Sequence, residues 1–278
     1  MRISIIIPVW NRLENMKDVL HCLSVQEVDK DNFELILVDH QSSDGFGQWV
    51  LSQQLPFKLK YLYIGYRDAW NAAIPRNLGA KISDPKSDFL YFVDSDILLP
   101  PNRLQCLLND LNENPDSNRI IIGPYHFMTS KVNVQNPDWH KNGIENYAQD
   151  IRFKDFLEHP VEEQRQGLNM ALACFGGNIC MSRQIFFKAG GYDENCLNGT
   201  EDGDFGLTLW ETGATVAMDI NLLAWHQPHP VEEVRKSTPW ESVHYIDQKH
   251  NIDVIKETAT TYRNWGIDWK IPEPGDGT

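Results

Sequence analysis

Phe89-Leu90-Tyr91-Phe92-Val93-Asp94-Ser95-Asp96 is an unbroken apolar run that ends on two carboxylates. Five bulky apolar residues in a row suit a strand covered on both faces, as in the middle of a parallel sheet. The acids then stand where the chain leaves that sheet. Outward from this stretch the same unit repeats. Residues 2–9 read as a strand closed by Pro8 and Val9, and residues 13–25 place Leu13, Met16, Leu20 and Leu23 at helical spacing. Residues 33–39 and 59–64 read as further strands, and 69–81 as a helix. Another helix follows Pro100-Pro101 and runs to Glu113. Such alternation predicts an α/β fold with a mostly parallel central sheet flanked by helices. Ligands of such sheets bind beyond the carboxyl ends of the strands, so the polar residues there are the ones to test.

The pattern weakens over residues 125–167, which are polar and rich in Asn, His and Glu. A loop of that length inside a compact domain reads as a lid or binding surface. Regular patterning returns at 169–181, then as a helix over 183–189, a helix over 204–211, and short strands at 215–218 and 222–225. Residues 240–256 read as one helix, and 272–278 as a loose tail.

Composition narrows the function classes. With 278 residues, 41% hydrophobic and 23% charged, the chain has room for one large α/β domain or two small ones. A net charge of −14 repels nucleic acid and anionic membranes. An anionic small substrate stays open if a divalent cation stands between it and the protein's carboxylates. No apolar run approaches the ~20 residues of a membrane-spanning helix. The apolar start is broken by Pro8 and has no small-residue cleavage site, so it reads as a strand and not a signal peptide. Five scattered cysteines without a CxxC pair suit reduced thiols, with Cys174 and Cys180 in the core. The expected location is cytoplasmic, with peripheral contact at the inner membrane face left open. Asn198-Gly199-Thr200 matches a glycosylation sequon and is read as coincidence.

Several clusters carry chemistry-competent side chains, each with a plainer alternative. Asp94 and Asp96 can point to one side of an extended segment and share a hard cation, or Asp can merely cap the next helix. Glu201-Asp202-Gly203-Asp204 places three acids at a helix start, either as charges complementing the helix dipole or as a general base near a metal-bound donor. Phe175-Gly176-Gly177-Asn178 lets backbone approach a ligand, or is a simple turn. His226, in Trp225-His226-Gln227-Pro228-His229, is a structural strand-end residue or a ligand for a Mn²⁺-like ion. Asp39 accepts from a nucleotide base or builds an Asx-turn with the Ser and Gly residues after it.

The order of these motifs carries a resemblance. Ile3-Ser4-Ile5-Ile6-Ile7-Pro8-Val9-Trp10-Asn11, Leu35-Ile36-Leu37-Val38-Asp39, Pro75-Arg76-Asn77-Leu78-Gly79-Ala80 and Asp94-Ser95-Asp96 closely resemble the family 2 glycosyltransferases of GT-A fold. Gly176-Gly177-Asn178, Gly190-Gly191-Tyr192-Asp193-Glu194, Glu201-Asp202, Phe205-Gly206 and His226-Gln227 resemble the galactosyltransferase-type C-terminal segment of chondroitin-polymerase-like enzymes and polypeptide N-acetylgalactosaminyltransferases. The resemblance covers residues 2–230. It implies a transferase domain over 1–230, with a nucleotide-binding half over 1–124 and an acceptor and catalytic half over 125–230, followed by a helical extension over 231–278.

The same resemblance implies roles. The Pro8 and Val9 backbone and Asp39 would hold the uracil of a UDP-sugar, with Arg76 near the base or diphosphate. Asp94 and Ser95 would lie on the nucleotide-sugar, Asp94 reaching the ribose and the metal's water shell. Asp96 would bind Mn²⁺ or Mg²⁺ directly, and His226 would complete that site, with His229 as the alternative ligand. Gly177 and Asn178 would line the sugar pocket. Asp202 would be the base, with Glu201 orienting the acceptor or sharing that role. The implied activity is inverting transfer to a glycan, lipid-linked or peptide acceptor hydroxyl in bacterial glycan or glycoconjugate synthesis. The aromatic residues Tyr125, Phe127, Trp139, Tyr147, Phe153 and Phe156 are where acceptor contacts are expected. Two rivals remain. A sugar-1-phosphate nucleotidyltransferase would need a basic Gly-rich loop where Trp10-Asn11-Arg12-Leu13-Glu14 stands. The other is a nucleotide-sugar or glycan-binding module without catalysis.

Overall fold

The computed structural model describes residues 1–65, 71–142, 147–150, 174–196, 199–230 and 240–264. Its elements in chain order begin with β1 (Ile3–Val9), α1 (Leu13–Ser24), β2 (Phe33–Asp39), α2 (Phe46–Leu51), β3 (Lys58–Tyr63) and α3 (Ala73–Ile82). They continue with β4 (Phe89–Val93), β5 (Ile97–Leu98), α4 (Arg103–Glu113), β6 (Arg119–Ile122), β7 (Tyr125–Met128), α5 (Trp139–Asn142) and β8 (Tyr147–Ala148). The second half holds β9 (Asn178–Ser182), α6 (Arg183–Lys188), α7 (Glu201–Glu211), β10 (Thr215–Met218), β11 (Ala224–His226), α8 (Trp240–His250) and α9 (Val254–Asn264).

Among the described residues, seven strands form the main sheet in the order β10-β6-β9-β4-β1-β2-β3. All neighbours run parallel except β9, which is antiparallel to both β4 and β6. The mostly parallel expectation therefore holds, with one reversed strand. Alternate residues of the central strands feed two cores. Ile5, Ile7, Leu35, Leu37, Tyr91 and Val93 pack on one face, and Ile6, Ile36, Val38, Leu90 and Phe92 on the other. Burial on both faces is why these strands read as continuous apolar runs. A smaller sheet, β5-β11-β7-β8, sits beside the first.

Register decides where the site lies. Val9 pairs with Asp39, and Val93 with Asn178, so the exits of β1, β2 and β4 and the entry of β9 share one rim. In the small sheet His226 pairs with Ile97, which brings the end of β11 beside the Asp-Ser-Asp turn.

Some expectations need correction. Tyr125 opens strand β7, not a loop, because β11 and β8 supply partners for its backbone that a polar, aperiodic sequence does not advertise. Helix α7 starts at Glu201, three residues earlier than expected, so the acids lie within its first turn. The expected strand at 222–225 is a 3₁₀ turn over Ile220–Leu222 followed by β11. The expected single helix over 240–256 is two, broken where Asn251 adopts φ 50° and Asp253 accepts from Lys256 N at 2.9 Å. The helix expected from residue 69 begins at Ala73, and residues 66–70 lie outside the described set. Phe153, Phe156, the stretch 169–173, Asn198 and the tail 272–278 also lie outside it. All five cysteines are free thiols, and Cys174 and Cys180 are buried as expected. No helix among the described residues is long and apolar enough to cross a membrane.

Candidate active site

A cleft with a cavity volume of about 150 Å³ opens at the shared rim. Pro8, Arg76, Asp94, Ser95, Asp96, Glu201 and Asp202 line it, together with Trp10, Arg12, Ala72 and Gly199. Residues drawn from β1, α3, the turn after β4 and the start of α7 thus meet in one place.

The Asp-Ser-Asp turn is fixed from both sides. Asp94 N donates to Gly177 O at 3.2 Å, and Gln227 N donates to Asp96 O at 2.8 Å. The Asp96 carboxylate consequently faces β11 and the residues after it. His226 Nε2 lies 3.6 Å from Asp96 Oδ1, and His229 Nε2 lies 3.2 Å from Asp96 Oδ2. Asp96, His226 and His229 can offer one ligand atom each within 4.8 Å of one another. Asp96 Oδ1 is buried with no hydrogen-bond donor among the described residues. An acceptor oxygen orphaned beside two imidazoles is an arrangement that a divalent ion satisfies, and mixed oxygen and nitrogen donors suit Mn²⁺. His229 Nδ1 donates to Pro230 O at 2.7 Å, the kind of outer bond that orients a ligating imidazole and frees its Nε2. Burial alone would raise the Asp96 carboxyl, but the His229 hydrogen bond and the charges of His226, His229 and Arg12 hold it below the usual range. His229 is raised, chiefly by its hydrogen bond to Asp96, against the pull of burial. The residues present therefore fit Mn²⁺ better than Mg²⁺, which takes oxygen ligands.

Arg76 is the hub on the other side of the cleft. Its side chain is 3% exposed and lies over the Tyr192 ring, with Cζ 5.1 Å from the ring centroid. Nη1 donates to Asp202 Oδ1 at 2.8 Å and to Glu201 Oε1 at 3.3 Å, while Nη2 donates to Asp94 Oδ1 at 2.9 Å. Burial pushes the Asp202 carboxyl up to about 7; Arg76 pulls it down, and Glu201 and Asp94 add to the rise. Gly176 allows this approach, because a Cβ there would stand 2.5 Å from Asp202 Oδ1 and 2.6 Å from Arg76 Cζ.

The remaining sequence-marked residues sit behind or beside the cleft. Asp39 is buried, and its oxygens accept from Ser42 N at 2.9 Å and from Tyr61 Oη–H at 2.7 Å, which holds the carboxylate at the exit of β2. Val9 O accepts from His40 N at 2.8 Å. Gly177 lies against Asp94, where a Cβ would meet Oδ2 at 2.9 Å. Asn178 is fully buried; its carboxamide accepts from Tyr91 Oη–H at 2.6 Å and donates to Leu222 O at 2.9 Å, so it braces the sheet beneath the cleft. Trp139 is core, whereas Phe127 and Tyr147 are exposed, and the Phe127 ring stands 5.0 Å from that of His226.

Sequence reasoning missed Arg12 as a site residue. Its Nε is 3.8 Å from Asp96 Oδ2 and its Nη2 is 3.0 Å from His229 Nδ1. The signal was its place just after the first strand, immediately before α1. Tyr192, the platform under Arg76, was legible only as part of a Gly-Gly-Tyr-Asp motif.

A family model described as glycosyl transferase family 2 matches residues 4–184. Chondroitin synthase of Escherichia coli is 24% identical over 249 residues, which is 83% of this chain and 35% of that protein. The chain thus spans about a third of the length of that relative. Crystalline S. aureus TarS 1–349 in complex with UDP-GlcNAc superposes with a TM-score of 0.67 at 15% identity, covering 97% of this chain and 68% of that one. The mannosyltransferase PcManGT from Pyrobaculum calidifontis, in complex with GDP-Man and Mn²⁺, superposes with a TM-score of 0.58 at 16% identity, covering 98% of this chain and 66% of that one.

Proposed function

The chain belongs to glycosyl transferase family 2 and has the GT-A fold, and we propose that it moves a sugar from a UDP-sugar donor to an acceptor hydroxyl with inversion, aided by Mn²⁺ or Mg²⁺. The observation that carries this reading is the meeting of Asp94, Asp96, Glu201 and Asp202 with Arg76 in one cleft at the rim of the sheet. We place the transferase unit at residues 1–230 with a helical extension after it, and its work in bacterial glycan or glycoconjugate synthesis.

In this reading Asp96, His226 and His229 hold the cation. When bound, it supplies electrophilic stabilisation to the departing diphosphate. Pro8, Val9 and Asp39 take the base at the neighbouring strand exits, and TarS in complex with UDP-GlcNAc supports a uridine donor. Asp94 and Ser95 contact the nucleotide-sugar. Asp202 accepts the proton of the acceptor hydroxyl as its oxygen bonds to C1, while the C1–oxygen bond to the diphosphate breaks and its electrons leave with UDP. A single displacement needs no enzyme nucleophile. Arg76 keeps Asp202 available as a carboxylate by offsetting Glu201 and Asp94. Glu201 stands beside the base, where it can orient the acceptor. The exposed Phe127 ring beside His226 supports a carbohydrate acceptor, because a sugar's apolar face packs on such a ring.

Asp202→Asn should lower transfer by about 10² to 10⁴-fold while UDP affinity in Mn²⁺ stays near that of the parent. A variant that turns over normally removes Asp202 from the role of base.

A further inference from the structure

Helix α7 presents acids on two sides. At 100° per residue, Asp202 and Asp204 point about 200° apart, so the helix that aims Asp202 at Arg76 turns Asp204 away from the cleft. Asp204 is 1% exposed, a poor place for a lone carboxylate, and α8 meets it with two bases. Lys249 Nζ donates to Asp204 Oδ2 at 2.8 Å and to Asp193 Oδ2 at 2.9 Å. The His250 ring lies between two carboxylates, with Nε2 2.9 Å from Asp204 Oδ1 and Nδ1 2.8 Å from Glu211 Oε1. One helix thus grips both the first and the last turn of the other. Tyr245 of α8 donates to Asp193 at 2.7 Å, and Cys196, Leu207 and Ile246 form an apolar cluster in the same contact.

Asp193, Cys196 and Asp204 have metal-ligand spacing, but the Lys249 ammonium binds both carboxylates there and burial pushes the Cys196 thiol up. The group is a charge clamp made by the protein. Helix α7 needs one, since Gly203 and Gly206 each weaken it by about 1 kcal/mol relative to Ala.

We propose that Lys249 and His250, acting through Asp204, are positioning residues: helix α8 clamps the back of α7 and so fixes the aim of Asp202 across the cleft. Both α7 and α8 lie beyond the residues matched by the family model, 4–184. The inference rests on Asp202 as the base. Lys249 is the informative position, because it is half-exposed and its replacement spares the core.

In the full chain, Lys249→Met should lower kcat by about tenfold or more, the scale of a sub-ångström to ångström misplacement of a reacting group. Donor KM and UDP affinity should stay within about twofold, since nucleotide contacts lie across the cleft. Lys249→Arg should restore most of kcat, because a cation reaches Asp204 again. A parental kcat in Lys249→Met overturns the proposal, and so does a kcat loss that merely follows a fall in the folded fraction. Asp202→Asn, assayed alongside, separates the two readings. If it is inactive while Lys249→Met is fully active, the clamp fails and the base stands; if it is active, the base assignment itself fails.

Discussion

As the proposed base, Asp202 has to be a carboxylate to accept a proton, yet its surroundings oppose the charge. Burial raises it to about 7, with Glu201 and Asp94 adding to the rise, while Arg76 and a backbone hydrogen bond from Gly176 oppose it. The activity consequence has a definite sign. Below about pH 7 the base is protonated, so kcat/KM should fall tenfold per pH unit, and it should level off above that point. The stability consequence runs the other way. Between about 4 and 7 the folded protein holds a proton that the unfolded chain has released, so this group's contribution to stability declines as pH rises through that window and is constant above it. Urea midpoints of the parent and Asp202→Asn should therefore differ increasingly from pH 4 to pH 7, the Asn variant being the flatter. A pH–rate profile without an acid limb near neutrality would remove Asp202 as the titrating base.

Helix α3 shows how an element carries a residue to the site. Its Gly79 sits so close to β1 that a Cβ would stand 2.4 Å from Ile6 Cγ2. Gly79→Ala would add about 1 kcal/mol of helix propensity but force the helix off a stiff, fully buried Ile, at a cost of about 1–3 kcal/mol. The clash wins because β1 is pinned between β2 and β4 and cannot yield. The expected result is a lower urea midpoint, with loss of transfer because Arg76 lies one turn away on the same face. A rise in the midpoint would show that the helix moves freely. Elements also show what a sequence reveals. Strands β1, β2 and β4 of the main sheet were legible from Phe89 to Val93 outward because burial on both faces writes an apolar run. Strand β6 and the reversed β9 were not placed, since a short apolar run carries no direction. Strand β7 was hidden because its partners come from β11, about a hundred residues on. The break between α8 and α9 was legible in principle, with Asn251 able to end one helix and Asp253 to start the next. In the site, the Asp-Ser-Asp and Glu-Asp pairs stood out at an exit and a helix start. Arg12 and the shared approach of His226 and His229 to Asp96 depend on register between distant segments, which no local pattern encodes.

At the scale of the molecule, the proposed donor carries an anionic diphosphate, and a chain of charge −14 has to receive it. Four of its acids line the very cleft the donor would enter, and Arg76 and Arg12 offset only part of them. The diphosphate should therefore bind well only when a divalent ion occupies Asp96, His226 and His229, which makes donor affinity, cation affinity and folding stability one linked set. A ligand present at about 100 times its Kd stabilises the native state by about 2.7 kcal/mol. For a chain of 278 residues that corresponds to a Tm rise of roughly 5 °C. The rise should appear with Mn²⁺ and UDP together, shrink sharply with UDP in EDTA, and be absent in Asp96→Ala with both ligands present. His226→Ala and His229→Ala should each weaken it, since both imidazoles face the same carboxylate. Raising ionic strength discriminates between the two ways of overcoming repulsion. Screening alone would let UDP bind in EDTA at high salt, whereas a coordinated ion would keep the requirement. A Tm rise with UDP in EDTA equal to that in Mn²⁺ would mean that the arginines suffice and that the Asp96 cluster serves another purpose.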